Sequence, residues 1–432
     1  MKNETIKELI DFINKATTPY HTVEEGKKLL KNEGFTELNT REEWKLEAGG
    51  SYYVAPYATS LFAFTVGKDW KPGQNIRIGA GHTDSPGFRV KPNGEMNSNG
   101  YLKLNTEVYG GPILNTWMDR PLSIAGRVAL KSKDPFKPNM KLFDIKDPVL
   151  TIPNLPIHIN REVNKGIELN KQIDTIPLLA MENDKINKEN YFTEYIAKQL
   201  DVSPEEILDY DIYIYNVEKP YEIGINKEFV SGPRLDNLTS VLALLKAVAK
   251  GKRSQGINLI ALYDNEEIGS RSKQGADSAI LNLLIEKIFT GLGAKSGEKL
   301  FNIAVDSLLI SVDVAHALHP NRPEKFDPVN QAKLNNGIAI KIDSNQKYTY
   351  DTESVAIIQQ ICEKAGIKYQ KFVNRSDVGG GGTLGPIISS WLPMKAIDLG
   401  VPLLAMHSAR ETMGISDQIY LEKLLFEFFD ND

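Results

Sequence analysis

From about residue 210 to the end, strand-like and helix-like segments alternate along the chain, and this alternation limits the fold more than any other feature. Short apolar runs typical of buried strands are separated by longer segments with apolar residues at helical spacing. The strand-like runs are INLIALY, LLISVDV, GIAIKI and MKAIDLG, and the helix-like segments are LTSVLALLKAVAKG, SAILNLLIEKIFTGLG and TESVAIIQQICEKAGI. This alternation predicts an α/β fold.

A β-rich block interrupts this pattern. Residues 1–93 also combine helix-like segments such as VEEGKKLLKNEG with strand-like ones such as SLFAFTV and NIRIGAGH. Between residues 94 and 209 the segments become short, β-rich and turn-rich, as in GYLKLNTEVYGG and SIAGRVAL. We therefore expect one α/β domain formed by residues 1–93 and 210–432, with residues 94–209 inserted as a β-rich domain.

Composition excludes several classes of protein. The chain has 432 residues, a formal net charge of −5 and a single cysteine, Cys362. One cysteine allows neither a disulfide framework nor a thiolate metal cluster. The acidic balance argues against nucleic-acid and anionic-membrane partners. No apolar run is typical of a signal peptide or a bilayer span, so we expect a cytoplasmic protein.

Histidines and carboxylates recur where predicted strands end. In open α/β sheets, sites form outside the carboxyl ends of the strands, so side chains distant in sequence converge there. Histidine and carboxylates without thiols are ligands for a pair of divalent cations, held about 3.5–4 Å apart. Of two adjacent glutamates, one then binds metal and the other remains a base. The residues concerned are His82, Asp236, Glu266, Glu267, Asp313 and His407.

Each of these residues taken singly has an ordinary explanation. A pair of glutamates after a strand is usually a solvated surface pair, a lone histidine usually packs or caps, and Asp236 is placed to cap a helix. The glycine run at 379–382 lacks the following Lys-Ser/Thr of a phosphate-binding loop, so it favours close backbone approach instead. The spacing of these residues alone therefore does not distinguish a two-metal site from surface, packing and capping roles.

The order of the segments resembles that of the aspartyl aminopeptidase family of co-catalytic zinc metallopeptidases. The resemblance covers nearly the whole chain, and it implies a mixed-sheet α/β/α zinc-peptidase domain interrupted by an inserted β-rich dimerisation domain. The segments that carry it are TTPYHTVEE, GHTDSPGFRVKP, GGPILNTWMDRPLSIAGRV, LPIHINREVN, GPRLDNLTS, DNEEIGSRSKQGA, SVDVAHALHPN, GGTLGP and AMHSARE.

The resemblance implies a role for each site residue. Glu266 is similar to the family's general base and Asp84 to the residue that orients His82, while Asp236 resembles the carboxylate that bridges two ions. We expect two divalent ions per subunit, zinc first, with cobalt or manganese as alternatives. A cis peptide bond is expected between Asp236 and Asn237. The metal ligands implied are His82, Asp236, Glu267, Asp313 and His407.

The implied activity is that of an aminopeptidase, which removes the N-terminal residue of a peptide through a water activated by the two ions. Lys341 resembles a charge partner for an acidic Asp or Glu side chain; the alternative is an exposed lysine on a strand. Gly382 and Thr383 are expected to approach the substrate. His158 is expected to donate to the oxyanion from a neighbouring subunit, within dimers that assemble into tetrahedral dodecamers.

Two other functions remain open. The same residues would serve a dinuclear-metal amidase or deacylase, or a dipeptidase, and a shell-forming protein without catalysis would keep the fold alone. The intact ligand set argues against the last of these. Three further histidines, His21, His316 and His319, are expected to have structural roles.

Overall fold

The computed structural model describes residues 2–166, 168–181, 190–294 and 298–432. The strands are β1 (Thr36–Glu37), β2 (Ser51–Tyr57), β3 (Ser60–Val66), β4 (Ile76–His82), β5 (Gly87–Ser98), β6 (Tyr101–Tyr109), β7 (Leu122–Leu130), β8 (Asn139–Asp144), β9 (Leu178–Met181), β10 (Ile207–Asn216), β11 (Tyr221–Ile223), β12 (Phe229–Gly232), β13 (Ile257–Tyr263), β14 (Leu308–Val312), β15 (Ala315–His316), β16 (Ile338–Ile342), β17 (Tyr369–Val373), β18 (Lys395–Gly400), β19 (Pro402–Leu404) and β20 (Glu411–Gly414). The α-helices are α1 (Lys2–Lys15), α2 (Pro19–Asn32), α3 (Tyr191–Leu200), α4 (Leu235–Lys250), α5 (Ile280–Gly291), α6 (Glu298–Val305), α7 (Thr352–Ala365), α8 (Leu384–Trp391) and α9 (Ile415–Asp430).

The chain divides into two compact units. The first unit comprises Met1–Asp84, Pro220–Met406 and Glu411–Asp432, and the second comprises Ser85–Lys219 and His407–Arg410. The boundaries expected from sequence, at 93/94 and 209/210, fall inside β5 and β10, which belong to the second unit.

A nine-stranded mixed sheet forms the centre of the first unit, in the order β1-β2-β3-β13-β4-β14-β18-β16-β17. The four central strands β13, β4, β14 and β18 run parallel to one another. Strands β3 and β16 flank them in the antiparallel direction. Buried parallel strands read as continuous apolar runs, and all residues of β13 and β14 are buried. The expected mixed-sheet α/β fold is therefore confirmed.

Helices cover both faces of this sheet. Alternate residues of β13 point to opposite sides, as the pleat requires: Ile260 and Leu262 join one apolar core, while Leu259 and Ala261 join the other. The first core also contains residues of α1, α2, α4, α7 and α9, and the second contains residues of α5, α6 and α8. Two helical layers therefore enclose the sheet, as an α/β/α arrangement requires.

The other two sheets are smaller. In the second unit, six strands form the antiparallel order β8-β7-β10-β5-β6-β9, and α3 contributes Phe192 and Ile196 to its apolar core. In the first unit, a five-stranded sheet has the order β11-β12-β20-β19-β15. Its strand β12 leads directly into α4, so this small sheet fixes where α4 begins.

Most helices and strands of the α/β part lie where the sequence predicts them. The run INLIALY is β13 with the same bounds, whereas α4 begins at Leu235, three residues before the predicted LTSV start. Within the residues that the structure describes, no helix is both long enough and apolar enough to cross a membrane.

Candidate metal centre

Three neighbouring strands bring acidic and histidine side chains to one edge of the large sheet. His82 is the last residue of β4, Asp313 follows the last residue of β14, and Glu266 and Glu267 lie in a short 3-10 turn after β13. Since β13, β4 and β14 are parallel neighbours, their carboxyl ends coincide. Ligand atoms of His82, Asp236 and Asp313 lie within 4.8 Å of one another, as do those of His82, Glu266 and Glu267.

His82 is the centre of this cluster. Its Nε2 atom lies 3.3 Å from Oδ1 of Asp236 and 3.6 Å from Oδ1 of Asp313. Its Nδ1 atom lies 3.0 Å from the carbonyl oxygen of Asp84. A carbonyl only accepts, so this contact places the proton on Nδ1 and leaves Nε2 directed at the carboxylates, the tautomer that a metal ligand requires.

The carboxylate of Asp84 connects His82 with the two glutamates. Its Oδ1 accepts the backbone N–H of Glu266 and its Oδ2 accepts that of Glu267, each at 3.2 Å. The same Oδ1 lies 3.4 Å from Nδ1 of His82. One buried side chain therefore fixes the position of the imidazole and of the turn that presents both glutamates.

Asp236 lies in an irregular first turn of α4. The preceding Arg234 has a left-handed backbone (φ 56°), and Asp236 (φ −80°, ψ 105°) is not helical. The Asp236–Asn237 peptide bond is cis, which confirms the sequence expectation. The Asn237 side-chain amide donates to the carbonyl of Val312 at 2.9 Å, so this turn is tied to the end of β14, next to Asp313.

Burial and mutual repulsion shift the pKa values of this cluster. Burial raises the pKa of Glu266 to about 8, and it holds the pKa of Glu267 well above its usual value, with Asp236 adding to the effect. Burial alone would lower the pKa of His82, but hydrogen bonds with Asp236 and neighbouring carboxylates raise it well above normal. Such an excess of buried negative charge favours a bound cation.

Asp313 also contacts a buried cation of the protein itself. Lys341, on β16, is 2% exposed, and its Nζ atom lies 3.2 Å from Oδ2 of Asp313 and 5.1 Å from the centre of the Tyr348 ring. Burial would raise the pKa of Asp313, but Lys341 and His82 together outweigh it and the pKa is lowered. The alternative that Lys341 is an exposed strand lysine is therefore wrong, because its side chain is buried beside Asp313 and Tyr348.

The donor set fits divalent metal ions. It consists of imidazole nitrogen and carboxylate oxygens, which suit zinc, cobalt and manganese. In the first unit, His82, Asp236 and Asp313 are buried, and Glu266 and Glu267 are half-buried. The surplus of carboxylates over nearby cations provides the charge that such ions would balance.

The glycine-rich loop precedes α8 in the same unit. Thr383 is the residue before the helix and is 4% exposed; its hydroxyl donates to the carbonyl of Lys347 at 3.4 Å. Gly382 would meet the same carbonyl oxygen at 4.0 Å if it carried a Cβ atom. Both residues therefore pack beside the loop that follows β16, the strand of Lys341.

His158 and His407 belong to the second unit. His158 is exposed in a turn, and the aliphatic residues around it, Leu155, Ile157 and Ile159, are 56%, 49% and 75% exposed. His407 has a left-handed backbone (φ 67°), and its Nδ1 atom lies 3.1 Å from the carbonyl oxygen of Gly111. That carbonyl places the proton of His407 on Nδ1, as for His82.

Glu411 is a residue that the sequence reasoning missed. It is 1% exposed, and its Oε2 atom accepts the backbone N–H of Asp236 at 3.1 Å. The only sequence signal was its position in AMHSARE, four residues after His407, because a single glutamate at a strand start carries no pattern of its own.

The remaining histidines have local contacts. His21 lies in the first turn of α2, with its Nδ1 atom 2.7 Å from the hydroxyl of Thr18. His316 packs edge-on against Phe372, and the Nδ1 atom of His319 accepts the backbone N–H of Asn321.

Comparisons with known proteins agree with this geometry. The family profile described as "Aminopeptidase I zinc metalloprotease (M18)" matches residues 12–429. A protein of Clostridium acetobutylicum named "Probable M18 family aminopeptidase 2" is 48% identical over the full length of both chains. The matched chain in a structure of the Ape4 and Nbr1 complex is 34% identical to this chain, with a TM-score of 0.95. The match covers 99% of this chain and 86% of that one. The matched chain in the mApe1 dodecamer of S. cerevisiae is 28% identical, with a TM-score of 0.85. The match covers 99% of this chain and 96% of that one.

Proposed function

The chain belongs to the M18 family of zinc metalloproteases and is a metalloaminopeptidase, and from this premise we propose that it removes the N-terminal residue of peptides with the help of two divalent ions. The observation that carries the proposal is the convergence of His82, Asp236, Asp313 and the two glutamates at the carboxyl ends of three adjacent parallel strands.

Five residues are proposed to hold the ions. Asp236 would be shared between them, since its carboxylate lies beside both His82 and Asp313, and Glu267 would add a further carboxylate. Zinc is the proposed ion because the family is one of zinc metalloproteases. Bound ions would polarise the scissile carbonyl and lower the pKa of a water. The full proposed set is His82, Asp236, Glu267, Asp313 and His407.

Glu266 is proposed to be the general base. Its neighbour Glu267 is assigned to the metal, and Asp84 holds the backbone of both, so the two carboxylates keep separate positions. Glu266 would take a proton from the attacking water and return it to the leaving amine. Burial raises the pKa of Glu266 before an ion is bound, and perturbed pKa values of this kind cluster at functional sites.

Three residues are proposed to contact the substrate. An acidic side chain on the first residue would pair with Lys341, sharing it with Asp313 at 3.2 Å. Gly382 and Thr383 would lie along the substrate backbone, which is supported by their packing beside the loop after β16. We therefore propose that the preference for an acidic first residue depends on how strongly Asp313 already neutralises the positive charge of Lys341.

The chain is proposed to self-associate into dimers, and these into tetrahedral dodecamers, in the cytoplasm. One solved relative is a dodecamer. The exposed aliphatic residues around His158 support a partner surface there, because contiguous exposed apolar side chains mark interaction sites. His158 is proposed to reach the neighbouring subunit's centre and donate to the developing oxyanion.

The test uses matched substrates. Leucyl-, aspartyl- and glutamyl-nitroanilides and their N-acetyl forms are incubated with the enzyme in the presence of zinc, cobalt or manganese, with Glu266→Gln as the inactive control. We expect turnover of the free-amino forms only. Equal cleavage of the N-acetyl forms would indicate an amidase or deacylase, and no turnover with any of the metals would indicate a shell-forming protein.

A further inference from the structure

Glu411 lies at the point where α4 begins. It is the first residue of β20, and in the antiparallel pairing with β12 its register partner is Gly232. The chain leaves β12 at Gly232 and begins α4 at Leu235. The sheet register therefore places the Glu411 side chain, which is 1% exposed, under the first turn of this helix.

The carboxylate of Glu411 takes the place of a local helix cap. The first N–H groups of a helix have no partner within the helix. Arg234, the residue at the cap position of α4, makes no side-chain cap hydrogen bond. The N–H of Asp236 is accepted instead by Oε2 of Glu411 at 3.1 Å. A negative charge at a helix N-terminus is also electrostatically favourable.

The hydrogen bond from Asp236 to Glu411 fixes the backbone of Asp236, whose carboxylate faces His82. The next residue, Asn237, is held separately, because its side chain donates to the carbonyl of Val312 at 2.9 Å. The backbone is therefore held both at Asp236 and at the residue after it, and the Asp236 carboxylate is aimed at Nε2 of His82, 3.3 Å away.

We propose that Glu411 is a positioning residue for the metal centre, which acts by holding the N–H of Asp236 so that the Asp236 carboxylate is aimed before an ion binds. The proposal rests on the proposed function, because it requires Asp236 to be a ligand. Glu411 itself binds no ion and exchanges no proton in this role. The contribution assigned to it is this accepted hydrogen bond, which an uncharged acceptor of the same shape also provides.

The experiment compares Glu411→Gln and Glu411→Ala with the wild type. Each protein is stripped of metal and titrated with zinc against a chromophoric chelator, and kcat and KM are measured with leucyl-nitroanilide. Removing a residue that orients a ligand typically weakens metal affinity about 10–100-fold, and we expect this for Glu411→Ala. We expect kcat at saturating zinc to fall while KM changes little, and Glu411→Gln to restore most of the zinc affinity.

A buried carboxylate outside the cluster supplies the control for a general loss of stability. Asp417, in α9, is buried and accepts the backbone N–H groups of Asn335 and Gly337. Asp417→Ala is expected to lower Tm without weakening zinc binding by the folded protein. A matching loss of zinc affinity in Asp417→Ala would show that destabilisation alone explains the Glu411 result.

Two outcomes overturn the proposal. Wild-type zinc affinity in Glu411→Ala removes any positioning role, and a Gln variant as weak as the Ala variant shows that the charge, not the hydrogen bond, is required. Should Glu411→Ala not fold, Glu411→Asp replaces it: the shorter side chain keeps the charge and is expected to bind zinc more weakly than Glu411→Gln. Zinc binding by Asp236→Ala at wild-type affinity would instead refute the ligand assignment of the proposed function, whatever the Glu411 variants do.

Discussion

The ammonium group of Lys341 lies 3.2 Å from Oδ2 of Asp313, on a side chain that is 2% exposed. Both groups are buried, so each compensates the cost of the other's desolvation. Lys341 therefore stabilises the proposed ligand Asp313 before any substrate side chain binds.

This contact leads to the first prediction. Lys341→Met keeps the length of the side chain but removes its charge, so Asp313 loses its counter-ion. A lost charged hydrogen bond is worth about 1.5–3 kcal/mol, so we expect kcat/KM for leucyl-nitroanilide to fall about 10–100-fold. The loss with aspartyl- and glutamyl-nitroanilide should be larger. Equal losses on all three substrates would remove Lys341 from substrate recognition and leave only its contact with Asp313.

The second prediction separates the two adjacent glutamates. Glu266→Gln removes the base but keeps the shape, so turnover should fall about 10²–10⁴-fold, the range expected for general base catalysis, while zinc content is retained. Glu267→Ala should lose zinc. Metal analysis by mass spectrometry, beside the nitroanilide assay, reads out both variants. Zinc loss in the first and retention in the second would reverse the assignment of ligand and base.

The third prediction concerns protons released on zinc binding. His82 and Glu267 are proposed ligands whose pKa values are raised well above normal before an ion is bound, so they retain protons to a higher pH than ordinary side chains of their kind. Ligands must be deprotonated to bind zinc, so binding should release protons and the affinity should increase as the pH rises through the neutral range. Titration calorimetry in buffers of different ionisation enthalpy measures the release. A binding heat independent of the buffer would contradict it.

The fourth prediction tests the packing beneath Asp313. A Cβ atom on Gly400, in β18, would lie 2.1 Å from the carbonyl oxygen of Asp313, which is backbone and cannot turn away. Gly400→Ala should therefore destabilise the fold by about 1–3 kcal/mol, as overpacking does, and weaken zinc binding. Gly379→Ala is the control, since its nearest neighbour would be Nζ of Lys347 at 3.9 Å. A wild-type Tm in Gly400→Ala would refute this prediction.

The fifth prediction tests whether His158 acts between subunits. His158→Ala and Glu266→Gln chains, each inactive alone, are mixed and reassembled. Sites that combine an intact Glu266 with a neighbour's His158 should regain activity. Native mass spectrometry verifies co-assembly. Absence of recovery in verified mixed assemblies would show that His158 does not act in trans.

The strands that carry the centre were predictable because they are buried on both faces. A strand such as β13 is then a continuous apolar run, and the polar residues that follow it stand out by contrast. The same logic located His82 at the end of β4 and Asp313 directly after β14. Their convergence follows from parallel pairing, since neighbouring carboxyl ends meet at one edge.

The contacts that hold the ligands in place were not predictable. Lys341 lies on a strand where a lysine usually faces solvent, and its partner Asp313 follows β14, a strand that does not pair with β16 in the sheet. Glu411 reaches Asp236 only because β20 pairs with β12 in one particular register. Both contacts depend on long-range pairing, which no local pattern in a single sequence encodes.

The position of the second unit in the chain has a consequence for biosynthesis. His82 is translated first, then the whole segment Ser85–Lys219, and only afterwards Asp236, β13 and Asp313. A nascent chain on the ribosome therefore carries a single one of the five proposed ligands while the inserted unit is being made. With this ligand set, the peptidase is expected to stay inert beside other newly synthesised proteins, whose N-termini are exposed there, until translation of its own chain is nearly finished.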